Sequence, residues 1–220
     1  MIVVEDVHKR YMTKRGVGDW VLRGININIP THLSVGLIGA NGAGKSTLLR
    51  IIGGADYPTR GRVERRCRVS WPMGKGGLES TLTGRQNAKF ICRIYGRRDG
   101  LAEHLERIQD FAEIGGAFDQ PVSTYSSGMR SRLQFALSLA FDFDVYISDE
   151  VTSAGDASFK KKAKGAFEGL VGRASIIMTS HDDGTLKTFC QSGIWLTNGQ
   201  ALWFDEIDEA LRSYKESLVK

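Results

Sequence analysis

Gly39-Ala40-Asn41-Gly42-Ala43-Gly44-Lys45-Ser46-Thr47 is the stretch on which the reading of this chain turns. It fits the pattern G-x-x-x-x-G-K-S/T, in which a glycine-rich loop wraps phosphate oxygens with its backbone N–H groups. Working outward, Ser34–Ile38 reads as a short buried strand leading in. Ser46–Ile52 opens a helix that closes at Gly53-Gly54. Each residue type has a physical task. The glycines let consecutive N–H groups curl inward without Cβ clashes. The helix N-terminus adds partial positive charge. Lys45 reaches the β- and γ-phosphates, and the Ser46 hydroxyl is placed to ligate Mg²⁺. The nucleotide contacts expected from the loop are Gly39, Asn41, Gly42, Ala43, Gly44, Lys45, Ser46 and Thr47.

Composition sets the outer bounds. A chain of 220 residues, 41% hydrophobic and 25% charged, makes one α/β domain with a sizeable core. No run of about eighteen apolar residues occurs, so no membrane-spanning helix is expected. Met1–Asp6 lacks the basic region and apolar core of a signal peptide, and none is expected. Cys67, Cys92 and Cys190 show no metal or redox spacing and read as reduced thiols, which suits the cytosol. The net charge of +5 gathers at Arg60, Arg62, Arg65, Arg66 and Arg68 and at Lys160, Lys161, Lys162 and Lys164. Without interleaved aromatics these clusters read as solvated faces rather than as a nucleic-acid surface.

Before the loop, Val3–Val7 and the alternating Ile25, Ile27 and Ile29, ending at Pro30, read as strands. They come quickly, with no helix between, which suggests an antiparallel β layer on the nucleotide core. Tyr11 falls in the turn between them, where an aromatic either stacks on an adenine ring or serves as ordinary packing. After the loop, Val63–Trp71 reads as an arginine-rich edge strand. Pro72–Gly77 breaks it. From Thr83 the pattern is helical, with Ala88, Phe90-Ile91 and Ile94-Tyr95 at helical spacing. A second stripe runs through Leu101, Leu105, Ile108 and Phe111-Ala112. Residues 78–140 thus read as a helical insertion, with 1–77 and 141–220 forming the core and β layer of a single domain. Its last helix begins inside Tyr125–Arg130, where serines cap an apolar run and Ser126, Ser127 and Gly128 offer an anion site.

Val145–Ser148 is a buried strand running into Asp149-Glu150, acids at the ligand-binding edge of a parallel sheet. Asp149 is placed to hold Mg²⁺ through water, and Glu150 to orient or deprotonate an attacking water. Ser175–Ser180 is a further buried strand, topped by His181, which reads as a γ-phosphate sensor. Ile194–Phe204 is a hairpin around Asn198-Gly199, and a final helix spans about Glu206–Leu218.

The order of these motifs resembles the ATP-binding subunit of an ABC transporter along essentially the whole chain. Gly39–Thr47 resembles that family's Walker A motif and Val145–Glu150 its Walker B, with Glu150 in the catalytic position. Tyr125–Met129 resembles the signature usually written LSGGQ, Ser153–Asp156 the D-loop, and His181 the switch histidine. Ser70–Pro72, Gly74, Gly76, Gly77, Leu82–Arg85, Tyr125–Leu133 and Asp149–Thr152 look closer still to ATPases that drive capsular polysaccharide export in Gram-negative bacteria. Three departures stand out: Met73 or a neighbour where the family has a glutamine, Val151 for the usual proline, and Ser127 for the signature's first glycine.

The resemblance implies a P-loop NTPase core with an antiparallel β layer and a helical signature subdomain, using ATP and Mg²⁺. It implies a cytoplasmic ATPase subunit, peripheral on the inner face of the bacterial inner membrane beneath an integral permease, with no nucleic acid partner. Two copies pair head to tail. Lys45, Ser46 and Asp149 of one hold Mg-ATP, Tyr11 meets the adenine, and Ser126, Ser127 and Gly128 of the other close over the γ-phosphate. The rival readings are a soluble ABC-type ATPase acting on ribosomes or nucleic acid, a P-loop kinase, and a nucleotide module without catalysis.

Overall fold

The computed structural model describes residues 1–14, 16–73, 77–95, 100–149 and 156–218. The chain divides into two compact units, one of 1–72, 143–150 and 169–220, the other of 73–142 and 151–168.

The first unit carries two sheets. Strands β1 (Ile2–Thr13), β2 (Gly16–Ile29) and β4 (Arg60–Arg65) form an antiparallel sheet in the order β2-β1-β4. The other sheet has six strands, β5-β6-β7-β3-β8-β9. Its centre is β3 (Val35–Ile38), β6 (Val145–Asp149), β7 (Ser175–Thr179) and β8 (Ser192–Thr197), with β3 parallel to both β7 and β8 and β6 parallel to β7. β5 (Val69–Met73) closes one edge and β9 (Gln200–Phe204) the other, the latter antiparallel to β8. Helix α1 (Lys45–Ile52) buries Leu48, Leu49, Ile51 and Ile52 in a core shared with Ile2, Val4, Ile25 and Ile29 of the antiparallel sheet and Val35, Leu37, Ile147 and Ile177 of the other. The alternation of isoleucines on β2 is what lets one face of the small sheet enter this core.

Several expectations need correcting. β1 runs on to Thr13, so Tyr11 lies inside a strand and not in the turn. The ladder continues through Arg10↔Trp20 and Met12↔Val17 although none of those side chains is buried. The stretch expected as one strand, Val63–Trp71, is two strands in two sheets. Arg65 turns its guanidinium onto the carbonyls of Ile51 and Ile52 (2.6 Å to the latter), capping the C-terminus of α1. The chain then leaves β1 after a last bond from Arg66 N to Met1 O. It restarts where the Asp144 carboxylate accepts the Arg68 N–H at 2.7 Å. Both pieces are edge strands, as the arginines suggested.

The second unit holds α2 (Gly84–Ile94), α3 (Leu101–Ala112), α4 (Ser127–Leu139) and α5 (Ala157–Glu168), with two 3-10 turns at Gly115–Asp119 and Val122–Thr124. Its core is aromatic: Phe111, Phe135 and Phe159 meet with ring centroids 5.9 to 6.1 Å apart. Thr83 and Gln86 form a reciprocal capping box on α2, whose spacing is legible in the sequence. The residues at helical spacing on α2 do not all face the core. Gly84, Asn87, Ala88 and Cys92 are buried, whereas Phe90 is 59% and Ile94 61% exposed.

Helix α5 was not foreseen, because its lysines mask the buried triad Phe159, Ala163 and Phe167. The lysine cluster is not one solvated face: Lys162 pairs with Glu113 at 2.6 Å and lies over the Phe111 ring. Nor was α6 (Asp183–Phe189) of the first unit, a helix too short for its period to register. The closing helix α7 (Ile207–Leu218) and the Asn198-Gly199 hairpin, both residues at positive φ, fall where expected.

Candidate active site

Strand β3 delivers the chain to Gly39, whose φ is +152°. A Cβ there would sit 2.4 Å from the Leu196 carbonyl oxygen, so only glycine lets the loop leave the sheet at this point. Gly44, at φ +102°, is the N-cap of α1 and brings no side chain to bond its first-turn N–H groups. No side chain of the N-cap competes with an anion there, the arrangement a phosphate needs. The Lys45 ammonium donates to the carbonyls of Gly39 (2.7 Å) and Ala40 (3.0 Å), folding over the loop it serves. Asn41, Gly42 and Ser46 are exposed, and Ala43 and Thr47 half-buried.

Parallel pairing brings the other candidates to the same edge. Asp149 ends β6 opposite Thr179 at the end of β7, and β7 runs beside β3. Asp149 is only 6% exposed, and the Thr179 hydroxyl donates to its Oδ1 at 2.9 Å. His181 follows two residues after β7, where Asp182 caps α6 by accepting from Thr185 N at 2.8 Å. Lys45, Gly39, Ala40, Asn41 and His181 line one pocket of about 320 Å³. Leu211 and Tyr214 of α7 line it too, which no local signal in the sequence could have assigned. Glu150, with Val151–Gly155, lies outside the described residues.

Tyr11 is half-buried beside the loop. Its hydroxyl donates to Asp56 Oδ2 (2.9 Å) and lies 3.4 Å from Thr47 Oγ1. Asp56 also accepts from Lys9 Nζ (2.6 Å) and the Tyr57 N–H (2.8 Å). Burial alone would raise the Asp56 carboxyl, but the hydrogen bonds from Lys9, Tyr11 and the Tyr57 backbone, with the Lys9 charge, hold it below its ordinary value. Sequence reading missed Lys9 and Asp56, forty-seven residues apart, because neither carries a motif.

In the second unit, Ser126 is the N-cap of α4 and its hydroxyl accepts the Met129 N–H at 3.1 Å. Tyr125 is buried, donating to the Ala117 carbonyl at 2.7 Å. Ser126, Ser127 and Gly128 line a concavity of about 410 Å³ with Arg132 and Asp156. Arg132 holds Asp156 at 2.7 Å, so the helix that begins at the serines is tied to the residue that caps α5. Gln86, the glutamine nearest the family's usual position, accepts the Thr83 N–H at 2.9 Å and is committed to its helix cap.

The residues fit the groups expected. A loop in which one Cβ would collide with backbone, a helix start without a capping side chain, and a lysine together suit a polyphosphate. A carboxylate and a serine hydroxyl, both hard oxygen donors, suit Mg²⁺.

Residues 22–153 match the sequence profile of the family described as ABC transporter. A polysialic acid transport ATP-binding protein, KpsT of Escherichia coli, is 46% identical over 220 residues, spanning 99% of this chain and 100% of that protein. The capsule polysaccharide export ATP-binding protein CtrD of Neisseria meningitidis serogroup B is 41% identical over 218 residues, spanning 97% and 98%. Among solved structures, the ATP-binding cassette MJ0796 in a dimeric post-hydrolysis state bound to ADP and Pi superposes with a TM-score of 0.75. That match covers 94% of this chain and 99% of the other at 22% identity, and it bears on the fold alone.

Proposed function

The chain belongs to the ABC transporter family, and on that premise we propose that it is the ATP-hydrolysing subunit of a transporter that exports a capsular or related cell-surface polysaccharide across the bacterial inner membrane. The hydrolytic half of this reading rests on one observation: Lys45 and His181 line a single pocket at the sheet edge where Asp149 ends its strand. The export half is supported by relatives that are 41% and 46% identical over nearly their whole length.

The chemistry follows from the residues. The backbone N–H groups of the loop and of α1 bind the phosphates of ATP. Lys45 exchanges the Gly39 and Ala40 carbonyls for phosphate oxygens. Ser46 and Asp149 hold Mg²⁺, which when bound neutralises charge on the β- and γ-phosphates. Asp149 keeps its orientation because Thr179 occupies one of its oxygens. His181 meets the γ-phosphate, and Glu150 orients the attacking water. Ser126, Ser127 and Gly128 serve the ATP of a second copy, so that two chains paired head to tail make two complete sites. Tyr11 contacts the adenine. The second unit transmits the cycle to an integral permease. The exposed Phe90 and Ile94 on α2 are its contact face, which would keep the subunit peripheral on the cytoplasmic side of the membrane.

The reading as a ribosome- or nucleic-acid-dependent ATPase draws on the basic clusters. Many of those cations are already engaged: Arg62 by Glu5, Arg66 by Glu64, Arg65 by the end of α1 and Lys162 by Glu113. Deleting the gene decides between them. Export predicts cells that accumulate polysaccharide internally and lose it from the surface. Unchanged surface polysaccharide, with ribosomes recovered on the purified protein, would overturn it.

A further inference from the structure

Beneath the nucleotide loop lies an ion pair that the proposed chemistry does not use. The Lys9 and Asp56 side chains are only 11% and 15% exposed, and their charged atoms are 2.6 Å apart. Burying such a pair costs desolvation that its attraction barely offsets, so it is better explained by what it fixes in place than by stability. Lys9 donates a second bond to the Tyr57 carbonyl at 2.7 Å. Asp56 Oδ1 takes Lys9 and the Tyr57 N–H, which leaves Oδ2 for the Tyr11 hydroxyl at 2.9 Å, with Arg50 at 3.4 Å. The Lys9 ammonium also lies 4.7 Å from the centroid of the Tyr11 ring. The ring is thus held twice, by its hydroxyl and by a cation beside it, and the same hydroxyl reaches Thr47 of the loop.

We propose that Asp56 is a positioning residue for base recognition: it anchors Tyr11 beside the phosphate loop, so that the ring meets the adenine in one fixed orientation, while Asp56 itself touches no nucleotide. Without the carboxylate, the phenol retains only the longer approach to Thr47, and Lys9 is left buried without its counter-ion. The inference rests on the reading of Tyr11 as the base contact, and the test separates the two.

Equilibrium binding of ATP and of inorganic tripolyphosphate, which has no base, is measured on the full chain and on Tyr11→Ala, Tyr11→Phe and Asp56→Ala. Tyr11→Ala removes the ring and is expected to weaken ATP roughly five- to a hundredfold while leaving tripolyphosphate unchanged. Tyr11→Phe keeps the ring and loses the tether; it is expected to weaken ATP roughly two- to tenfold, again without effect on tripolyphosphate. Asp56→Ala should match Tyr11→Phe, and the double variant should lose no more than either. Full ATP affinity in Tyr11→Phe beside a weakened Tyr11→Ala overturns the role of Asp56 and leaves the base contact standing. Full ATP affinity in Tyr11→Ala overturns both. Equal losses of ATP and tripolyphosphate in Asp56→Ala would mean a disturbed loop and would also overturn the inference. If Asp56→Ala does not fold, Tyr11→Phe decides alone.

Discussion

Two helices in this molecule begin at the residues expected to meet phosphate, and they begin differently. Helix α1 starts at Gly44, which has no side chain to spend on its own N–H groups, and carries a lysine in its first turn. Helix α4 starts at Ser126, whose hydroxyl already satisfies the Met129 N–H. The first end has no capping side chain and carries a cation, enough to hold a polyphosphate alone. The second has a bonded cap and offers the exposed hydroxyls of Ser126 and Ser127, enough to complete a site but not to make one. The glycines differ in the same sense. A Cβ on Gly39 would meet backbone at 2.4 Å, whereas one on Gly128 would meet only the Ser126 hydroxyl at 3.8 Å. One glycine is required by the fold; the other is free to be chosen for what binds there.

That contrast can be broken in order of expected effect. Lys45→Ala strikes the end that holds phosphate unaided, and hydrolysis measured by phosphate release should fall about 100- to 1,000-fold. A residual rate above that of a signature variant would erase the distinction. Next, Gly39→Ala should lower the melting temperature by roughly 2 to 10 °C, since it adds a backbone clash at a strained φ. Gly128→Ala should leave it unchanged while still slowing hydrolysis. Equal melting shifts in the two would show that the glycines share one role. Third, Ser126→Ala removes the cap of α4 at a cost of about 1 kcal/mol in chemical denaturation, with ATP binding to the isolated chain untouched.

The smallest effect is one of pH. Asp56 is held below its ordinary value of 3.8, so its ionised form stabilises the fold above that pH. The contribution disappears as pH falls through the lower folded-state value. The stability gap between wild type and Asp56→Ala should therefore be constant above about pH 5 and narrow below pH 4. A gap that widened in acid would reverse the assignment.

What the sequence disclosed follows the same division. The loop, the acid that ends β6 and the serine cap are short-range devices, each written within a few consecutive residues. What escaped depends on distance. Tyr11 lies in a strand rather than a turn because β1 continues through Lys9 and Arg10, residues that break the apolar alternation but pair with β2 all the same. The strand expected over Val63–Trp71 divides because Arg65 serves α1 and Asp144 captures Arg68, partners far along the chain. The helical spacing of Phe90 and Ile94 does not disclose that they are exposed, because a helical period says which residues share a face and not which face is covered. The helix α5 hid behind four lysines, one of which is spent on Glu113.

The claim that most needs testing is that the two helix starts belong to one site only when two chains meet. Sedimentation velocity on Glu150→Gln, a variant designed to retain ATP, tests it directly. ATP should convert the protein from monomer to dimer. Adding Gly128→Asp, a change at a position where a Cβ would make only ordinary contact with the Ser126 hydroxyl, should return the protein to monomer while each chain still binds ATP with unchanged affinity. A Glu150→Gln/Gly128→Asp protein that still dimerised with ATP would show that the signature helix does not complete the partner's site.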